Sequence, residues 1–303
     1  MSDERGIFKR LESEGCLTRV ISASHLDEIR GDLDTLRANG SIDEDLFQSR
    51  LSHFKYELPK ELPDAKSIVV SAVPQPMYTL TFNWRGKKVP VILPPTYADG
   101  EQINQRVRDQ LTRALGGGPI RFCQTLLPLK TLATRSGLAS YGRNNITYVE
   151  KYGSFHRLTA HYTDYPFEDD HWQERQALPT CEMCTACIDA CPTKAIVKDR
   201  FLVRAERCLV YLNEKTADHP FPDWVRPEWH NAITGCMHCQ NACPHNSSVL
   251  GWSEEREEFD EEDTKYLLAG EFKGERASSM ERRLGRMGID LTQFPRNLAV
   301  LLR

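Results

Sequence analysis

Residues 181–192 read CEMCTACIDACP, which places Cys181, Cys184, Cys187 and Cys191 in one run with Pro192 directly after it. The two gaps of two residues let the backbone curl so that three thiolates converge on one iron–sulfur cubane. The gap of three and the proline throw the fourth cysteine outward, toward a different cluster. A second set of ligands is therefore required. The segment GCMHCQNACP at residues 235–244 supplies Cys236, Cys239 and Cys243 before Pro244. Its first cysteine is missing, because Ile233 stands where the spacing of the first run would put it. Cys208, in RCLVYL, is the substitute.

The crossed pattern of two-cluster ferredoxins then gives Cys181, Cys184, Cys187 and Cys243 to one [4Fe–4S] cluster and Cys191, Cys208, Cys236 and Cys239 to the other. Structural zinc is the bland alternative, since paired CxxC units also make tetrahedral thiolate sites. It leaves the third cysteine of each run and both Cys-Pro junctions unexplained. A disulfide framework fits worse, because ten cysteines in 303 residues is a low density and no secretion signal precedes them.

A chain of 303 residues is far too long for a ferredoxin alone, so something else is being fed electrons. The net charge is −4, and no stretch gathers Lys and Arg into a stripe, so a nucleic-acid partner is not expected. The N-terminal MSDERGIFKRLESEG offers no continuous apolar segment and no paired arginines. A cytoplasmic protein with no membrane contact is the expectation.

The pattern along the chain predicts a helical region over residues 1–60, with Leu26, Ile29, Leu33 and Leu36 at helical spacing after Ser24 and Gly40 as a stop. An α/β domain follows over 61–178. In it SIVVSAV (67–73) reads as a buried strand, 89–93 as a second, 101–115 and 128–136 as helices, and 146–164 as strand-like. The glycines 116–118 lack a following GK[ST] or the GxGxxG frame, so they read as a helix stop and no nucleotide site is expected. The cluster module is placed at 179–251 and helices closing the fold at 252–303. Residues 254–263 hold eight acidic side chains in ten and read as a solvated helix face, or as a surface that orients a redox partner.

Taken together, SGLASYGRNN (136–145), YGSFHRLTAHYTDYP (152–166), the two cysteine runs, RCLVYL and RNLAVLL (296–302) resemble the family of epoxyqueuosine reductases and corrinoid reductive dehalogenases, over residues 62–302. The resemblance implies an α/β (α+β) fold: a nitroreductase-like domain that cradles base-off cobalamin, joined to a two-cluster ferredoxin-like module. Cobalt in a corrin reacts as Co(I), which needs electrons at very low potential, and thiolate-ligated four-iron clusters reach that range. A ferredoxin- or flavodoxin-type donor is the implied electron source. The chain also lacks the DxHxxG loop by which another B12 family gives a histidine to cobalt; the nearest string is DDHWQE at 169–174.

Where epoxyqueuosine reductases carry an aspartate thought to donate a proton, this chain has RFCQTLLPLK (121–130), which puts Cys123 at that position. The tRNA-modifying reaction is on that ground not expected, and the missing export signal speaks against respiratory dehalogenation. Cys123, with a pKa lowered by Arg121 or Arg143, is one replacement acid; a small core thiol is the plainer reading. Tyr141 is a second candidate proton donor, as in reductive dehalogenases, with Arg143 and Asn144 as anion or corrin-amide partners around Gly142. His156, Arg157 and His161 are candidates to face the corrin, and His245 with Asn246 to edge the cavity or hydrogen-bond a cluster sulfur. Cys16 is read as structural. The first expectation is a cytoplasmic corrinoid-dependent iron–sulfur reductase of a small molecule. The alternative is an electron carrier or reductive activator of a corrinoid or other partner protein.

Overall fold

The computed structural model describes residues 4–303, and the chain divides into two compact units. The first comprises residues up to Pro74, Glu101–Cys184 and Asp199–Leu202. Its centre is strand β2 (Ser67–Pro74), whose run of apolar and small residues is buried on both faces, as a central strand demands. β2 is flanked antiparallel by β1 (Leu17–Ser22) and β8 (His156–Thr163), and β8 by β5 (Phe122–Gln124), in the order β1-β2-β8-β5. Side chains alternate across a strand. Ile68, Val70 and Ala72 therefore join the core with Leu26 and Ile29 of α2 (Leu26–Ala38) and Leu132 of α5 (Leu129–Arg135). Val69 and Val73 join Ile7 and Leu11 of α1 (Glu4–Ser13) and Val107 and Leu111 of α4 (Gly100–Ala114). A short helix α3 (Glu44–Leu46) and the hairpin of β6 (Ser140–Tyr141) with β7 (Thr147–Tyr148) complete the unit.

The second unit comprises Gln75–Gly100, Thr185–Lys198 and Val203–Arg303. β3 (Met77–Trp84) pairs antiparallel with β4 (Lys87–Leu93) and parallel with β9 (Ser253–Phe259), whose register shifts by one residue at Arg256, opposite Thr79 and Leu80. Helices α9 (Glu261–Ala269), α10 (Gly274–Gly285) and α11 (Phe294–Leu301) bury Leu267, Leu284, Phe294 and Leu298 with Leu80, Phe82 and Phe259. The cluster-module segments carry only short helices: α6 (Ala186–Ala190), α7 (Leu209–Asn213) and α8 (His238–Asn241). Among the described residues no helix is long and apolar enough to cross a membrane.

The mixed α/β class stands, and two local expectations change. Residues 1–60 are not all helical: β1 forms an edge strand, because Val20 and Ile21 lie buried on opposite faces of the sheet. The acidic run is a helix face only at its end, where Glu261, Glu262 and Asp263 open α9. Residues 253–259 form β9, whose carboxylates are met by cations: Arg283 binds Glu257 (2.9 Å) and Lys88 binds Glu258 (2.7 Å). Arg283 and Arg276 also bind Asp263, so local charge pairing replaces helical solvation.

Candidate iron–sulfur and cofactor site

Cys181 and Cys184 fall in the first unit and the other six predicted ligands in the second. The set Cys191, Cys208, Cys236 and Cys239 thus lies whole within one unit. Cys208 opens α7 with extended backbone, and its Sγ accepts hydrogen bonds from the N–H groups of Val210 and Tyr211. The Cys236 Sγ accepts from the N–H of His238, and Cys191 Sγ from the N–H of Ala195 at 3.3 Å. Backbone N–H groups aimed at sulfur stabilise the negative charge that a cluster carries, and they help set its potential. Cys191, Cys208 and Cys236 also feel one another's charge. Cys187, Cys191, Cys208 and Cys239 pack with Ala195 and Ile196, so the thiols sit in an apolar shell.

Burial drives the Cys208 thiol up, and Cys236 is pushed up to about 12, so both are protonated in the metal-free chain. Iron must displace those protons, which couples cluster loading to pH. Among the described residues no three His, Cys, Asp or Glu side chains close on a point that fits one ion. A cubane, with four separate iron corners, holds its thiolates farther apart than one tetrahedral ion does. Buried thiols with N–H donors aimed at their sulfurs are a donor set that fits clusters.

The C-terminal helix fastens the loops that carry these ligands. Asn297, 1% exposed, donates to Asn213 O and Ile233 O, each at 2.8 Å, joining the end of the Cys208 helix to the approach to Cys236. Arg296 donates to Leu212 O (2.8 Å) and Lys215 O (2.9 Å) and also to Thr216 O and His219 O, with its guanidinium over the Phe221 ring. Partial burial lowers Arg296 to about 10, still charged at neutral pH. The sequence offered RNLAVLL only as an apolar helix. The role of Arg296 and Asn297 rests on contacts across 64 to 84 residues, which periodicity does not encode.

In the first unit, Tyr141 is buried in the β6–β7 hairpin, edge-on to Phe201 at 5.1 Å, with Thr131 and Thr134 bonded to its hydroxyl. Burial raises its pKa, so it keeps its proton. Arg143 donates to the carbonyls of Cys181 and Glu182, which orients the start of the first cysteine run. Gly142 has a steric reason: a Cβ there would lie 2.6 Å from both Asn144 Oδ1 and Tyr148 Cε2. Asn144 Nδ2 donates to the Tyr148 hydroxyl at 2.9 Å, which closes the turn. His156 meets Thr147 Oγ1 (3.2 Å) and Gly153 O (3.1 Å), and burial lowers it to about 4. His161 is likewise lowered to about 4 by burial, and its Nδ1 has no partner. His156 and His161, five residues apart on a strand, lie on opposite faces, and Arg157 shares the face of His161. In the second unit His245 is exposed, while Asn246 is buried and donates to Gln240 O at 2.8 Å.

Cys123 departs from its expected chemistry. Arg121 is taken up by Asp64 (2.6 Å) and Asp164 (2.7 Å), and Arg143 by backbone carbonyls. Burial first, and Glu61 second, raise the thiol rather than lower it. Cys123 is thus a protonated thiol, opposite Tyr162 in the β5–β8 pairing.

Residues 180–246 match the family described as the 4Fe-4S double cluster binding domain. The chain is similar to the epoxyqueuosine reductase of Cyclobacterium marinum, 33% identical over 207 residues, which are 64% of this chain and 64% of that protein. It is similar to that of Staphylococcus aureus as well, 26% identical over 237 residues, 75% of this chain and 60% of the relative. The chain thus spans less than two thirds of the length of these curated relatives. In fold it matches the epoxyqueuosine reductase of Streptococcus thermophilus, with TM-score 0.68 and 19% identity, over 100% of this chain and 81% of that one. It matches another such enzyme, solved with an epoxyqueuosine-modified tRNA-Tyr stem loop, with TM-score 0.64 and 22% identity over 99% and 80%.

Proposed function

From a chain that is a relative of the epoxyqueuosine reductases in sequence and shares their fold, we propose an oxidoreductase of that type, which takes single electrons through two [4Fe–4S] clusters to a corrin and reduces a modified nucleoside in tRNA. The observation that carries this is the coincidence of a double-cluster domain at residues 180–246 with the epoxyqueuosine reductase fold over essentially the whole chain. The small-molecule expectation gives way to an RNA substrate, because a similar fold is known bound to a tRNA stem loop. The net charge of −4 set nucleic acid aside too readily, since overall charge says nothing of a local surface.

The first unit fits a corrin bound without a protein ligand on cobalt. His156 spends both ring nitrogens inside the domain, and His161, on the other face of β8, is buried and paired with Val69, which packs against α4. Residues of the turn 141–145 are the candidates to hold it, with Asn144 and Gly142 shaping the backbone. When bound, the corrin supplies the low-potential metal centre that reduces the substrate. What the chain itself supplies is enclosure, electron delivery and a proton. Cys123 and Tyr141 both keep their protons at neutral pH, and an alkoxide released on epoxide reduction is a far stronger base than either conjugate anion. The absence of a carboxylate from 120–147 therefore does not remove the acid function.

The test is complementation of a strain that lacks epoxyqueuosine reductase, read as queuosine in its tRNA. Restored queuosine supports the proposal, and a second strain with Cys123→Ser separates thiol from tyrosine as donor. Unchanged epoxyqueuosine with the protein present and its clusters loaded would refute the tRNA substrate and leave the expected carrier or activator of a partner protein.

A further inference from the structure

Tyr97 lies in the loop after β4, far in sequence from any of the cluster cysteines, and no chemistry described above uses it. Its hydroxyl donates to Glu214 Oε1 at 2.6 Å. Glu214 directly follows α7, the helix that Cys208 opens. The hydroxyl end of the Tyr97 ring lies against Gly235, the residue before Cys236: a Cβ on Gly235 would sit 2.7 Å from the tyrosine oxygen and 2.8 Å from Cε2. Gly235 also has φ of +69°, so this position needs glycine on two counts. Asn213, beside Glu214, donates to Gly235 O at 2.8 Å and is 1% exposed. A carboxylate is thus held by a phenol within the knot of backbone that presents Cys208 and Cys236.

We propose that the Tyr97–Glu214 pair is a potential-setting element for the cluster bound by Cys191, Cys208, Cys236 and Cys239: Tyr97 positions the Glu214 carboxylate, whose negative charge disfavours reduction of that cluster and keeps its potential low. The proposal rests on the ligand assignment above. A low-potential one-electron donor gives the oxidised cluster one electron; no bond forms or breaks, and the cluster gains one negative charge. A fixed, partly buried carboxylate nearby opposes that gain more than a fully solvated one does. The charges of Glu214 and Cys208 sense each other, and those of Cys208 and Cys236 reach Tyr97. A relay that must feed a very low-potential acceptor has use for such a charge.

The experiment is an anaerobic redox titration of reconstituted full-length protein, followed by electron paramagnetic resonance, beside iron and sulfide analysis. Glu214→Gln keeps the shape and removes the charge. It is expected to raise the potential of one cluster by about 59 mV or more, a tenfold or larger change in the one-electron equilibrium, and to leave the other in place. Tyr97→Phe keeps the ring against Gly235 but removes the phenol's hydrogen bond to the carboxylate, and should give a smaller shift of the same sign. Glu206→Gln, an exposed carboxylate two residues before Cys208, should leave both potentials alone. Fully loaded Glu214→Gln and Tyr97→Phe proteins with unshifted potentials would overturn the proposal. If Glu214→Gln fails to load, Tyr97→Phe decides: a rise supports the proposal and no change refutes it. Native protein that takes up no cluster would overturn the ligand assignment and the proposal together.

Discussion

Replacing Asn297 by aspartate tests how the loops around Cys208 and Cys236 are held, because it keeps the side-chain shape and removes both donated hydrogen bonds. Asn297 is 1% exposed, and its Nδ2 serves Asn213 O and Ile233 O at 2.8 Å. A buried carbonyl left without a partner costs about 1–3 kcal/mol. Asn213 O keeps a long contact with Arg296 Nη2 at 3.5 Å, which softens one of the two losses. The expected cost for Asn297→Ala is therefore about 2–4 kcal/mol. Asn297→Asp sets an oxygen against two carbonyl oxygens, while the bonds that Arg296 gives Oδ1 at 3.1 and 3.0 Å become charge-assisted and offset part of that, so its cost is expected in the same range. At roughly 2–4 °C per kcal/mol for domains of this size, the melting temperature falls by about 4–16 °C. Thermal denaturation followed by circular dichroism is the assay, with iron content measured beforehand. An Asn297→Asp protein that melts within about 2 °C of the unsubstituted one, on the same scale, would show that these hydrogen bonds do not hold the loops.

Cys208→Ala should lose roughly half of the iron and acid-labile sulfide, as one of two four-iron clusters fails, while Cys16→Ala, a thiol buried in the α1–α4 core, loses none; equal iron loss from both would put the ligand assignment in error. Arg143→Met should lower iron uptake at the cluster that uses Cys181, since it frees the Cys181 and Glu182 carbonyls; unchanged uptake in elemental analysis would reassign Arg143 to substrate or cofactor. Burial holds His156 and His161 neutral with values near 4 against an unfolded value of 6.5. Below 6.5 the unfolded chain therefore takes up protons that the folded chain refuses, and stability falls as pH drops from 6.5 toward 4, by about 3 kcal/mol per histidine. Urea midpoints measured from pH 7.5 to 4.5 check this, and His161→Gln should flatten the decline; an identical slope would contradict it.

The double-cluster domain was legible because the chemistry fixes cysteine spacing locally, and the assignment of Cys208 rests on counting what the second run lacks. β2 was legible because a strand buried on both faces must be apolar throughout. β9 was not: SEEREEF carries charge at nearly every position, and the pairing with β3 and the cations of Lys88 and Arg283 make it a strand. β3, with its alternating burial, carries a strand signal in MYTLTFNW. Tyr97, Glu214, Arg296 and Asn297 were invisible for another reason. Each works by bonding a backbone atom or side chain more than sixty residues away, and no local pattern marks that.

The central claim, a two-cluster relay feeding a corrin, is met most directly by anaerobic reconstitution of the full chain, with iron, sulfide and zinc determined and cob(II)alamin then titrated in. The account predicts about eight irons and eight sulfides per chain, with a spectral shift of the corrin to its base-off form at micromolar concentration. Tightly bound zinc without acid-labile sulfide, or loaded clusters with an unshifted corrin spectrum, would contradict it.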